Sequence, residues 1–131
     1  WVLHDRGFEG YIISMPPYGV TKESYLAGYK WEGKYINHSL AGDFEMNISR
    51  AYKIPNTWVL DGVNTAIEEN FQYTSWDESI DAGWTHCGKI DKDPERYGKS
   101  VLRKRGDDGK LTDTNNSTND FTPDSTPSLK K

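Results

Sequence analysis

The chain has a single cysteine, Cys87, among its 131 residues, so it can close no internal disulfide. Apolar residues are sparse, at 34% of the total, and no run of them approaches the length of a bilayer-spanning helix. Positive charge is short as well. The net charge is −4 at neutral pH, whereas generic nucleic-acid binding needs a basic footprint to displace counterions from phosphates. The one basic cluster, Arg103-Lys104-Arg105, would present at most two charges together on a strand, where side chains alternate faces. A charged, solvated hairpin edge accounts for it.

Aromatic residues fill the gap. Eight Tyr, five Trp and four Phe allow a small core to be built on a few large rings, each burying far more area than Val or Ala. The length suits one compact domain. We expect a single β-rich domain over residues 1–121, followed by an extended C-terminal tail over 122–131 whose prolines and short polar residues disfavour packing.

The local pattern is of strands and loops. Gly10 to Met15 reads as a strand ended by the turn Pro16-Pro17-Tyr18-Gly19, and Thr21 is placed to cap a helical turn running to Leu26. Lys34 to His38 and Phe44 to Ser49 read as strands around Ala41-Gly42-Asp43. Two apolar β-rich pieces flank Asp61-Gly62, and Glu68 to Ser79 fits either a short helix or a loop. Ser100 to Arg105 is expected to pair with Lys110 to Thr114 across the turn Asp107-Asp108-Gly109. Beyond it, Asp113 to Asp120 forms a polar loop whose Asn and Asp side chains bond their own backbone, with Phe121 as an apolar pin.

Catalytic signatures are incomplete wherever they begin. Gly28 to Lys34 has the spacing of a phosphate loop, but Tyr35 stands where a Ser or Thr hydroxyl should meet magnesium. Asp91-x-Asp93-x-Glu95 has the carboxylate spacing of a calcium loop, yet Arg96 and Leu102 occupy the places of its Gly and its closing Glu. Asp91 and Asp93 therefore leave calcium open as the one candidate metal, against a plain polar turn; no other cofactor is indicated. His86 beside Cys87 suggests a base and a nucleophile, but neighbours on a strand point to opposite faces. Cys87 is better read as a small buried apolar residue. No glycine-flanked nucleophile serine is present, and no catalytic residue is assigned.

Among the aromatics, Trp58 and Trp84 read as core residues. Tyr29, Trp31 and Tyr35 stand among polar residues and glycine, and are the first candidates for a ligand-binding surface.

Three blocks carry a family resemblance: Pro55-Asn56-Thr57-Trp58-Val59-Leu60-Asp61-Gly62-Val63-Asn64, Asp81-Ala82-Gly83-Trp84-Thr85-His86-Cys87, and Gly88 through Tyr97-Gly98-Lys99-Ser100-Val101. With the closing segment up to Ser128, they resemble a family of lipid-anchored surface proteins of Bacteroidetes that carries a lamin-tail-like region. The resemblance is dense from Pro55 onward. Over Trp1 to Arg50 it rests on Trp1 to Phe8 and the Tyr/Gly-rich stretch that follows. It implies a mainly β fold, an immunoglobulin-like sandwich of the lamin-tail type, left incomplete if strands ahead of Trp1 belong to a longer protein. It also implies an address on the outer membrane, held by a lipid anchor outside this chain. In that setting Asp124-Ser125-Thr126 resembles an O-glycosylation acceptor, which would put Ser125 on an exposed segment.

The function expected from this resemblance is non-enzymatic: an interaction module of a surface lipoprotein, accessory to a nutrient-uptake complex and docking to an outer-membrane transporter or another surface lipoprotein. The competing expectations are a carbohydrate-binding module using exposed Trp and Tyr, and a hydrolase whose site carries no recognisable motif.

Overall fold

The computed structural model describes residues 6–72, 74, 76–90 and 92–128. In chain order the elements are β1 (Arg6–Ser14), α1 (Lys22–Gly28), β2 (Lys30–Ser39), β3 (Gly42–Tyr52), β4 (Val59–Ala66), β5 (Thr85–His86), β6 (Ser100–Arg103), α2 (Ser117–Asp120) and β7 (Phe121–Ser125), with three short 3-10 turns between them. The fold is mainly β, as expected. The chain divides into two compact units, Trp1–Ile13 with Val59–Lys131, and the contiguous insert Ser14–Trp58. Among the described residues no helix is long and apolar enough to cross a membrane.

The larger unit is built around β4. Its sheet has the order β1-β4-β5, and β4 runs parallel to β5 with Thr65 opposite Thr85 and Ala66 opposite His86. Asn64, Thr65, Ala66 and Ile67 are buried in succession, which marks a strand end covered on both faces, where alternation is lost. A second pair, β6 with β7, is antiparallel with Arg103 opposite Phe121. The hairpin expected after β6 turns where predicted, with Gly109 at φ +77. Its return is held by the bridge Arg105–Leu111 and the Thr112 N–H to Lys104 carbonyl bond. The long partner of β6 is β7, so residues 122–125, expected in the tail, form a strand instead.

Polar residues hold much of this unit. Asp81, 1% exposed, accepts from the N–H groups of Asn64, Gly83 and Ser117 and from the Ser117 hydroxyl. Asp120, equally buried, accepts from the Thr114 N–H and hydroxyl and from the Asn116 N–H. Asn116 caps α2 by accepting from the Thr118 and Asn119 N–H groups. The polar loop thus bonds its own backbone, and it also anchors distant segments. Gly83 is required here: a Cβ would lie 2.7 Å from the Thr118 nitrogen, closer than side-chain atoms approach.

The smaller unit follows its sequence signals closely. Val20 N–H bonds the Pro17 carbonyl at 3.1 Å in the proline turn. Thr21 and Ser24 form a capping box that starts α1, satisfying two orphan donors of the first turn. β2 and β3 make an antiparallel hairpin from Lys30–Tyr52 to Ser39–Gly42, with one irregularity between Trp31 and Gly33. Tyr25, Tyr29 and Trp58 form an aromatic cluster, with Tyr29 and Trp58 centroids 4.8 Å apart, and Tyr52 joins it through Tyr25 at 5.8 Å. The Met15 N–H to Trp58 carbonyl bond, 2.8 Å, ties the two ends of this unit together.

Candidate functional site

Strand alternation and the β2–β3 register sort the hairpin into two unlike faces. One carries Trp31, Gly33 and Tyr35 opposite Ala51, Ile48 and Met46, with Phe44 opposite Asn37. On it Tyr35 and Phe44 are each 46% exposed and Met46 37%. The other face carries Lys30, Glu32, Lys34 and Glu45, with ion pairs Lys30–Glu32 at 2.6 Å and Lys34–Glu45 at 2.7 Å, and with them Ile36 and Tyr52. The hydrogen bond between Lys30 and Glu32 raises the lysine pKa and lowers the carboxyl's.

The three aromatic candidates are used differently. Tyr29 packs against Trp58 and Tyr25. The Trp31 ring lies over Gly33, filling the space a Cβ would take, with the Lys53 ammonium 5.9 Å from its centroid. Tyr35 is the one of the three classed as exposed, and it shares a face with Trp31.

In the larger unit, the charged pocket beside Gly88, of about 140 Å³, brings Lys89, Asp93, Glu95, Lys99 and Asp124 together. Asp93 caps a 3-10 turn there, accepting from the Glu95 N–H at 2.9 Å; Asp91 lies outside the described residues. Among the described residues no group of three or more His, Cys, Asp or Glu side chains is gathered as for a metal. Ser125 is partly buried at the end of β7, its hydroxyl donating to the Thr122 carbonyl at 3.0 Å.

A second groove of about 220 Å³ is lined by Glu68, Trp84, His86, Thr118, Phe121 and Pro123. Phe71 stacks on Trp84, with centroids 4.2 Å apart and planes 3° from parallel. The Thr118 hydroxyl accepts from the Trp84 N–H and donates to the Trp84 carbonyl. Arg103 lies over Phe121, 4.7 Å from its centroid, and its guanidinium pairs with Asp61 at 2.7 Å. Both rings are therefore fixed from outside the groove.

β5 ends at His86, so Cys87 lies just beyond the strand. Cys87 is 5% exposed, and burial, helped by the charge of Asp124, pushes its thiol pKa up, the reverse of an activated nucleophile. His86 Nδ1 is buried without a hydrogen bond, 3.9 Å from the Asp124 carboxylate, whose other oxygen accepts from the Gly88 N–H at 2.6 Å.

Sequence reading missed this groove because its walls come from three separated segments, and Glu68, His86 and Phe121 carry no shared spacing. The two-faced hairpin did leave a signal, the alternation Lys30-Trp31-Glu32-Gly33-Lys34-Tyr35.

No curated protein and no solved structure matches the chain. One family model, described as "Protein of unknown function (DUF4876)", matches residues 1–128, and the chain belongs to that family.

Proposed function

We propose, taking membership of this family as the premise, that the chain is a non-enzymatic interaction module of a Bacteroidetes surface lipoprotein, with a lamin-tail-like, immunoglobulin-like sandwich as its fold type. Its task is docking to an outer-membrane transporter complex used for nutrient uptake. The observation that carries this is the uncovered face of the β2–β3 hairpin, where Tyr35, Phe44 and Met46 stand half-exposed side by side. Scattered exposed apolar residues are ordinary; a contiguous set marks an association surface. On the opposite face the ion pairs Lys30–Glu32 and Lys34–Glu45 break up the apolar surface.

A binding role also fits the way the buried carboxylates are used. Asp81 and Asp120 have their oxygens occupied by backbone N–H and hydroxyl donors, so neither is set up to exchange a proton with a substrate. The test is co-isolation from native outer membranes, with the bound proteins identified by mass spectrometry. A TonB-type transporter or its lid recovered with the natural chain, and lost with Tyr35→Ser plus Phe44→Ser, supports the reading. Recovery of the chain alone, or a transporter retained by the double variant, overturns it.

A further inference from the structure

We propose that the groove bordered by Trp84, Phe121, Pro123, His86 and Glu68 binds one pyranose ring of a carbohydrate. This goes beyond the docking reading and does not depend on it, because the groove lies within the larger unit and the hairpin within the smaller one.

Size comes first. At about 220 Å³ the groove falls below the roughly 300–1,000 Å³ of sites for drug-sized ligands, so it accommodates a single ring. Its walls decide what kind. Trp84 borders the groove while Phe71, stacked on it, does not, so the indole meets the groove with its opposite face or an edge. Phe121 and Pro123 extend that apolar surface. The polar group at the rim is the carboxylate of Glu68, which is exposed and has no partner among the described residues; the His86 ring also lines the groove, its Nδ1 buried 3.9 Å from the Asp124 carboxylate. A ligand matching this lining presents C–H bonds to a flat ring and an O–H donor to a carboxylate. A pyranose does both, with its axial hydrogens on one face and its hydroxyls around the edge.

The other ring-binding ligands fit less well. A caged organic cation needs aromatic faces on several sides, but one face of Trp84 is taken by Phe71 and Phe121 is already covered by the Arg103 guanidinium. A nucleotide would bring phosphate against Glu68 in a chain of net charge −4, where repulsion opposes it. The aromatic surface is also set before any ligand arrives. Parallel stacking by Phe71 and the paired Thr118–Trp84 backbone bonds hold the indole, so little rotamer freedom is lost on binding.

Ligand-observed NMR on the full chain tests this, using the methyl glycosides of glucose, galactose, mannose and N-acetylglucosamine as probes, with tetramethylammonium as the cationic control. We expect at least one pyranoside to bind, with saturation transferred to its ring C–H protons. Glu68→Gln should weaken it about tenfold, the scale of one hydrogen bond to a charged group, while leaving the melting temperature in place because Glu68 is exposed. Trp84→Leu should abolish binding; if that variant does not fold, Glu68→Gln still decides. Binding of no pyranoside, binding unchanged in Glu68→Gln, or binding of tetramethylammonium alone overturns the proposal. The Tyr35→Ser plus Phe44→Ser variant should keep the sugar. Failure of the natural chain to recover a transporter while it still binds the sugar overturns the docking reading alone, and recovery of a transporter with no pyranoside bound overturns the groove alone.

Discussion

The Ser117 hydroxyl donates to the Asp81 carboxylate at 2.5 Å across 36 positions of sequence, and the Ser117 N–H joins it at 2.8 Å on the other oxygen. One buried side chain thereby fixes the start of α2, the Gly83 turn and the backbone of β4 at Asn64.

Asp81→Asn should therefore cost about 2–4 kcal/mol, since the amide nitrogen cannot accept and leaves buried donors without partners. The urea midpoint reads this directly. A loss under about 1 kcal/mol would mean that Asp81 does not hold these segments together.

Arg103 and Asp61 form a partly buried pair, their side chains 15% and 28% exposed, with Phe121 under the guanidinium. A double-mutant cycle of Arg103→Met and Asp61→Asn should give a coupling of about 1–2 kcal/mol, because methionine removes the charge that meets Asp61 while the loss of the ring contact, common to both backgrounds, cancels. The coupling should survive moderate salt, which screens exposed pairs far more.

Cys87 should resist iodoacetamide in the native state, reacting at least about tenfold more slowly than in the unfolded chain, because the thiolate is the nucleophile and burial disfavours it. The same shift predicts a pH effect. The folded pKa lies above the ordinary value of 9.0, so the stabilisation is complete below that value. It declines as pH rises towards the folded pKa, because the unfolded chain then ionises first. Cys87→Ala should flatten that part of the stability profile, and an unchanged alkaline slope would contradict it.

Tyr35→Ser with Phe44→Ser should shift stability by less than about 1 kcal/mol, as expected for residues already half in water, while removing co-isolation with the transporter. A large stability loss would instead make this face part of the structural core.

How legible the chain is depends on the reach of each interaction. Thr21 capping with Ser24, the Pro17 turn and the Asp107–Gly109 turn act over three or four residues, and their positions follow from side-chain chemistry. The partner of β6 was read as the nearest candidate, Lys110 to Thr114, whereas Phe121 to Ser125 takes that place, because pairing choice rests on burial that no local pattern encodes. Asp81 reads as an ordinary turn residue; nothing nearby in sequence announces that its carboxylate is enclosed. The Trp84 groove was hidden for the same reason, while the alternation from Lys30 to Tyr35 was plain and its meaning depended on which face stayed uncovered.

The bond between Met15 N–H and the Trp58 carbonyl closes the insert Ser14–Trp58 at its base, between β1 and β4, which are neighbours in one sheet. Without that closure, β1 would have to find β4 across the whole insert, and loop-closure entropy grows with the length of the loop. Once the smaller unit has folded, its own ends meet, and the effective loop shrinks to a few residues. Ordering of the insert thus lowers the entropy cost of pairing β1 with β4, and the hairpin unit acts as an entropic clasp on that pair.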